Sequence, residues 1–212
     1  MKGRLIVIEG IDGSGKHTQV EVLKKHFTKK GLKVKTIAFP RYDQFFGKLA
    51  GNLLHGKLGD FAKVSPYLGA LPYALDRREA RDQIVNWLKK GYLVLADRYV
   101  SASLAHQAAK LRPVERAKFA DWLIKVEYGF NRLPKEDLVL VLDVEPTASR
   151  RRLKGEKVID KAEKSLSYQQ RSRQAYRMLA KRFKHWRIVP AEDSISEVTD
   201  KLIKIIKLRL DK

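Results

Sequence analysis

Leu5-Ile6-Val7-Ile8-Glu9-Gly10-Ile11-Asp12-Gly13-Ser14-Gly15-Lys16-His17-Thr18 joins a continuous apolar run to a glycine-rich turn, and the helical pattern Gln19 to Lys30 follows. An unbroken apolar run of this length predicts a strand covered on both faces. The turn satisfies G-x-x-x-x-G-K, the phosphate-binding pattern, with His17 where a serine or threonine usually follows the lysine. Glycines are required because the loop turns tightly and brings successive backbone N–H groups onto phosphate oxygens, while the helix adds the partial positive charge of its N-terminus. Lys16 supplies a point charge for the β- and γ-phosphates. A dinucleotide fingerprint fits worse, since G-x-G-x-x-G is absent and Lys16 would have no task. His17 has no hydroxyl to complete a magnesium shell, so the metal must be held by waters, Thr18 or a carboxylate such as Asp12.

The same alternation continues outward from this stretch. Val34–Phe39, Tyr92–Ala96, Leu138–Leu142 and Trp186–Val189 are further strand candidates. Between them lie helical patterns at Ser65 to Lys90, Val114 to Tyr128, Leu166 to Phe183 and Ser194 to Leu210. The last places Ile195, Val198, Leu202, Ile205 and Ile206 on one face, with lysines opposite. Strand–helix alternation around a phosphate loop predicts an α/β P-loop three-layer sandwich, a five-stranded parallel sheet with helices on both faces.

At 212 residues the chain has room for one well-buried core. The absence of cysteine excludes a disulfide framework, a thiolate metal site and a thiol nucleophile. Glu9, Asp12 and Lys16 interrupt the first apolar stretch before it could serve a signal peptide, and no apolar run approaches the roughly 20 residues that span a bilayer. A soluble, cytoplasmic protein is expected. The net charge of +21 attracts polyanions without specifying which. Arg150 to Arg187 holds 14 basic and three acidic residues and so carries +11 of it. As an ordinary charge run this segment reads as a solvated helix pair.

The carboxyl edge of an open α/β sheet is where ligands bind. Asp97-Arg98-Tyr99 lies there after the third strand, and Phe39-Pro40-Arg41 ends the second strand in the same plane, a fork-shaped cation for a phosphate. Tyr73 and Arg77 stand four apart on a helical pattern and share a face, an aromatic plane beside a hydrogen-bonding fork. Each has a plainer alternative: Tyr73 as core filler, Asp76–Arg77 as a surface pair, and Asp97–Arg98 as a strand-end salt bridge.

Taken together, Glu9-Gly10-x-Asp12-Gly13-Ser14-Gly15-Lys16, Phe39-Pro40-Arg41-Tyr42, Leu54-His55-Gly56-Lys57-Leu58-Gly59-Asp60, Ala74-Leu75-Asp76-Arg77, Asp97-Arg98-Tyr99-Val100 and Leu133-Pro134-Lys135 resemble the thymidylate kinase family over essentially the whole chain. The resemblance implies one nucleoside monophosphate kinase domain over residues 1–212, with a short basic lid at about 150–164. It implies that ATP is held by Gly10, Asp12, Gly13, Ser14, Gly15, Lys16, His17, Thr18 and Arg152, with Lys16, Arg98, Arg150 and Arg151 as the catalytic cations. For dTMP it implies Phe39, Arg41 and Arg98 near the phosphate, Tyr73 stacked on thymine and Arg77 on its O4. Ser103 and Gln107 would then meet the other base edge, and Asp12 and His106 the sugar. Magnesium would be held by Asp12, Asp97 and Glu163, and a homodimer is expected. The family usually has Tyr in place of His106, packed where a ribose 2′-hydroxyl would clash, so the resemblance says less about sugar choice than about the reaction.

The implied chemistry is transfer of the γ-phosphoryl of MgATP to dTMP, driven by positioning and charge neutralisation. On this basis Arg77→Ala would mainly relax base choice. The alternatives are a kinase for another monophosphate such as dUMP or CMP, a basic nucleic-acid-binding P-loop protein or polynucleotide 5′-kinase, and a non-catalytic nucleotide binder. Nucleic acid is possible through the basic segment but not required.

Overall fold

Five strands, β1 (Arg4–Gly10), β2 (Val34–Ala38), β3 (Leu93–Asp97), β4 (Leu138–Asp143) and β5 (Trp186–Pro190), form one sheet in the order β2-β3-β1-β4-β5. Every adjacent pair is parallel. The computed structural model describes residues 2–60, 63–153 and 165–211. All five strands fall on the apolar runs anticipated from sequence, their ends moved by one or two residues. From β1 the order runs to β3 and β2 on one side and to β4 and β5 on the other. The crevice at this reversal opens at the carboxyl end of β1, where the glycine-rich turn begins.

Pleating sends alternate side chains of each strand to opposite faces, and each face has its own helical cover. Ile6 and Ile8 pack with Val20 and Leu23 of α1 (Lys16–Lys29) and with Val198, Leu202 and Ile206 of α8 (Ile195–Leu210). Leu5 and Val7 pack on the other side with α3 (Pro66–Lys89), α4 (Val100–Ala108), α5 (Pro113–Ile124) and α7 (Leu166–Arg182). Each fully buried aliphatic side chain in these layers contributes roughly 1.5–3 kcal/mol. On α8 the expected apolar stripe is buried at Val198, Leu202 and Ile206, whereas Ile195 is exposed.

Among the described residues, three helices have no counterpart in the sequence patterns: α2 (Phe45–Leu54), α4 and α6 (Pro146–Leu153). The reason is clearest for α4. It is buried nearly all round, so its run of small residues shows no two-sided period. The pattern Val114 to Tyr128 divides: α5 ends at Ile124 and a π-helical turn, Lys125–Phe130, carries the chain on with Glu127 pointed into the interior. The anticipated lid also divides, since residues 150–153 belong to α6 and 154–164 lie outside the described residues.

The basic segment is not simply a solvated face. Arg173 of α7 is buried and forks onto Asp143 at the end of β4, at 2.7 and 3.1 Å, and also pairs with Glu145. Arg177 reaches Asp143 as well, at 2.6 Å. Burial works against the Asp143 carboxylate, but the hydrogen bonds from these two arginines hold it below the ordinary carboxylate range. The outcome is a bolt between β4 and α7 across the sheet's helical layer.

Candidate active site

The glycine-rich turn leaves β1 with Gly10, Gly13 and Gly15 all at positive φ (143°, 71° and 91°), a path L side chains resist. A Cβ on Gly13 would also stand 2.7 Å from the Ser149 carbonyl oxygen, so α6 lies directly against the loop. Gly15 caps α1 without a side chain, and the first turn of α1 holds no acidic residue. An anion therefore meets the helix N-terminus with no competing carboxylate there. Lys16 is buried and its Nζ donates to the Ile11 carbonyl at 2.9 Å, folded over the loop. Burial, followed by the neighbouring Arg98, pushes this ammonium below its ordinary value.

Arg98 follows β3 with φ 66°, a left-handed conformation that costs a non-glycine residue about 1 kcal/mol or more. Its amide donates to the Ile8 carbonyl at 3.1 Å, and its guanidinium is tied at both ends. Nη2 donates to Asp12 Oδ1, and Nη1 donates to His106 Nε2 at 3.1 Å. Burial opposes the charge on Arg98, but Asp12 outweighs it and the guanidinium is held above its ordinary value. Burial likewise works against the Asp12 carboxylate, yet Arg98 and then Lys16 hold it below the usual range. The imidazole of His106 is pushed down to about 3 by burial and then by Arg98, so it is neutral. Beneath this cluster Glu9 is fully buried and accepts from the Tyr99 amide at 2.9 Å, the Ser101 hydroxyl at 2.7 Å and the Tyr176 hydroxyl at 2.7 Å. It pins β1, the start of α4 and α7 to one another.

On the other side of the crevice the expected acceptor residues converge, but several are already engaged. Arg41 Nε donates to Asp76 Oδ1 at 2.9 Å, and Nη2 reaches the Asp76 carbonyl at 2.9 Å and Glu79 at 2.5 Å. The backbone of Arg41 comes so near α2 that a Cβ on Gly47 would stand 1.8 Å from its carbonyl oxygen. Asp76 thus pairs with Arg41, and the Asp76–Arg77 surface pair is not formed; both residues are buried. Arg77, 1% exposed, donates from Nε and Nη2 to Glu127, from Nη1 to the Tyr99 carbonyl at 3.2 Å and from Nη2 to Ser103 at 2.9 Å. Gln107 donates to the Gly69 carbonyl at 3.3 Å and keeps a buried Oε1 without a hydrogen bond. Tyr73 is half-buried one turn before Arg77 on α3.

A cleft of about 820 Å³ runs along the phosphate loop. It is lined by Gly13 to Gln19, Phe39, Asp97, Arg98 and Arg152, and also by Asp193 and Ser194 of the β5–α8 connection, which sequence reasoning did not single out. Arg152 is held there by the Ala191 carbonyl at 3.0 Å. Arg150 and Arg151 sit exposed on α6 and do not line the cleft. His17 is exposed, its Nδ1 3.9 Å from Asp97. Glu163 lies outside the described residues, and among those described no group of three or more His, Asp or Glu side chains gathers as a ready-made metal cage. Glu127 was also missed. Its one signal was an acid at i+4 from Leu123, on the face that buries Phe119 and Leu123.

Comparison with known proteins agrees with this geometry. A family model described as thymidylate kinase matches residues 8–202. The chain is 35% identical over 212 residues to a probable thymidylate kinase of Pyrococcus abyssi, covering 99% of this chain and 98% of that one. It is 39% identical over 184 residues to the thymidylate kinase of Mycobacterium tuberculosis strain H37Rv, covering 83% and 85%. The solved structure of thymidylate kinase from Candida albicans superposes with a TM-score of 0.79 at 27% identity, over 98% of this chain and 92% of that one. With the phosphate loop and the Arg98 cluster in one crevice, these matches establish that the chain belongs to the thymidylate kinase family.

Proposed function

We propose that this chain, as one kinase domain, moves the γ-phosphoryl group of ATP in line onto a 5′-phosphate oxygen of dTMP. The new O–P bond forms as the β–γ bridging bond breaks, giving dTDP and ADP. One observation carries the assignment of roles: the Arg98–Asp12 bridge joins the acceptor side of the crevice to the phosphate loop, with Lys16 alongside. Two cations from opposite walls thus face the point where negative charge develops, and the anionic acceptor needs no strong general base. Asp193 and Ser194 border the cleft on the donor side, and Tyr73, Arg77, Ser103 and Gln107 are assigned to the acceptor base, with Arg77 and Ser103 hydrogen-bonded to each other.

Asp97 suits a magnesium ion. Its carboxylate lines the cleft beside the loop, with His17 as its only ion-pair partner among the described residues, whereas Asp12 is already bound to Arg98 and Gln169. Magnesium takes one or two carboxylates and completes its shell with waters and phosphate oxygens, so the lack of a ready-made cage among the described residues is no obstacle. When bound it neutralises phosphate charge. Leu68, Leu71 and Leu75 lie exposed on one face of α3, and this stripe supports a homodimer. Light scattering is expected to read twice the chain mass; a monomer at micromolar concentration would overturn that part. A cytoplasmic workplace follows from the use of ATP and dTMP.

Steady-state kcat/KM over dTMP, dUMP, CMP and their ribo or deoxy counterparts tests the substrate. The expected result is dTMP above dUMP by about 10-fold or more, the worth of one methyl in an apolar pocket. A preference for CMP would sink the thymine assignment.

A further inference from the structure

The guanidinium of Arg98 is gripped by two groups, and each of those groups is itself held by one of two consecutive residues of α7. Gln169 Nε2 donates to Asp12 Oδ2 at 3.3 Å, while Asp12 Oδ1 receives Arg98. The Tyr168 hydroxyl donates to the His106 carbonyl at 3.0 Å, while His106 Nε2 receives Arg98. An arginine N–H can only donate, so His106 Nε2 must accept and the ring proton sits on Nδ1, 3.5 Å from the same tyrosine oxygen. The first turn of α7 is fixed in turn by Ser165, whose Oγ accepts from the Tyr168 amide at 3.3 Å.

Gln169 is 2% exposed, a place where an apolar side chain would serve packing as well or better. An ionised Asp12 can only accept, so the amide nitrogen must face it, and the Oε1 atom is left buried with no hydrogen bond. A buried amide with half of its hydrogen-bonding capacity unmet is a poor stabiliser, but a good brace for a carboxylate.

We propose that Gln169 and Tyr168 are positioning residues for phosphoryl transfer: they set the plane and reach of the Arg98 guanidinium through Asp12 and His106. The proposal rests on the assignment of Arg98 to the transferring phosphoryl group.

A double-mutant cycle tests it. Gln169→Leu is expected to lower kcat about 10-fold, the worth of one charge-assisted hydrogen bond, with KM for ATP changed less than about twofold and the melting temperature unchanged or raised. In an Arg98→Lys background the same substitution is expected to cost less than about twofold, because the fork it braces is gone. Tyr168→Phe removes one oxygen atom and little packing, and carries the same test through the His106 arm. Equal losses of kcat in both backgrounds, or a Gln169→Leu enzyme with full kcat, would overturn the positioning role and leave the Arg98 assignment standing. Full kcat in Arg98→Lys itself would overturn the Arg98 assignment and the positioning role with it.

Discussion

Arg98→Ala is expected to lower kcat by about 10³-fold, with a much smaller change in KM for ATP, because the group removed acts chiefly on charge that develops during transfer. Lys16 remains, yet it cannot replace a planar fork that meets the acceptor wall and the loop at once. Two further readouts tie the loss to the geometry. His106 in the native site is pushed down to about 3 by burial and by Arg98, so kcat is expected to show no inflection near the ordinary histidine pKa between about pH 5 and 9. Without Arg98 that imidazole loses its second depressing influence, and NMR titration of His106 is expected to move upward toward the ordinary value. Undiminished kcat in the variant would refute the assignment of Arg98.

Arg77→Met is expected to cost about 3–5 kcal/mol of stability, a fall of roughly 10 °C in melting temperature, because it strands a carboxylate in the interior. Glu127 is 0% exposed and its described ion pair is with Arg77. The sequence alone suggested that losing Arg77 would chiefly relax base choice. The structure makes it also the lock between α3, α4 and the π-helical turn, through Glu127, Ser103 and the Tyr99 carbonyl. The sharper form of the test is Arg77→Met combined with Glu127→Leu, which removes both charges and is expected to recover most of the lost melting temperature while discrimination between dTMP and CMP stays poor. A double variant as unstable as the single one would show that packing, not the stranded charge, sets the loss.

The charge of +21 divides in a way that composition does not disclose. Arg173 and Arg177 neutralise Asp143, Arg182 pairs with Asp121, and Arg171 donates to the Ala109 carbonyl at 3.0 Å. These arginines of the basic segment are therefore engaged between elements rather than held in reserve for a polyanion. Lysines along α1 and α8 carry other parts of the charge, and of these Lys24 pairs with Glu21 at 3.7 Å and Lys201 with Asp193.

Strand positions, the phosphate loop and the residues of the acceptor wall were legible in the amino-acid sequence because they are written within about ten residues of chain: apolar runs specify buried strands, and glycines permit the positive φ of the turn. The strand order, the helices α2, α4 and α6, and the turn that buries Glu127 were not, since they depend on what each segment packs against. The deciding difference lies in the arginines. Sequence identified Arg41 and Arg98 as cations at one sheet edge and Arg77 on a helix face with Tyr73. Only the tertiary structure showed each one's partners, in Asp76, Glu127 and Asp12, at separations of 35, 50 and 86 residues along the chain. Local pattern carries no information over such spans, and burial turns those long-range pairings into the fixed charges around which the site is built.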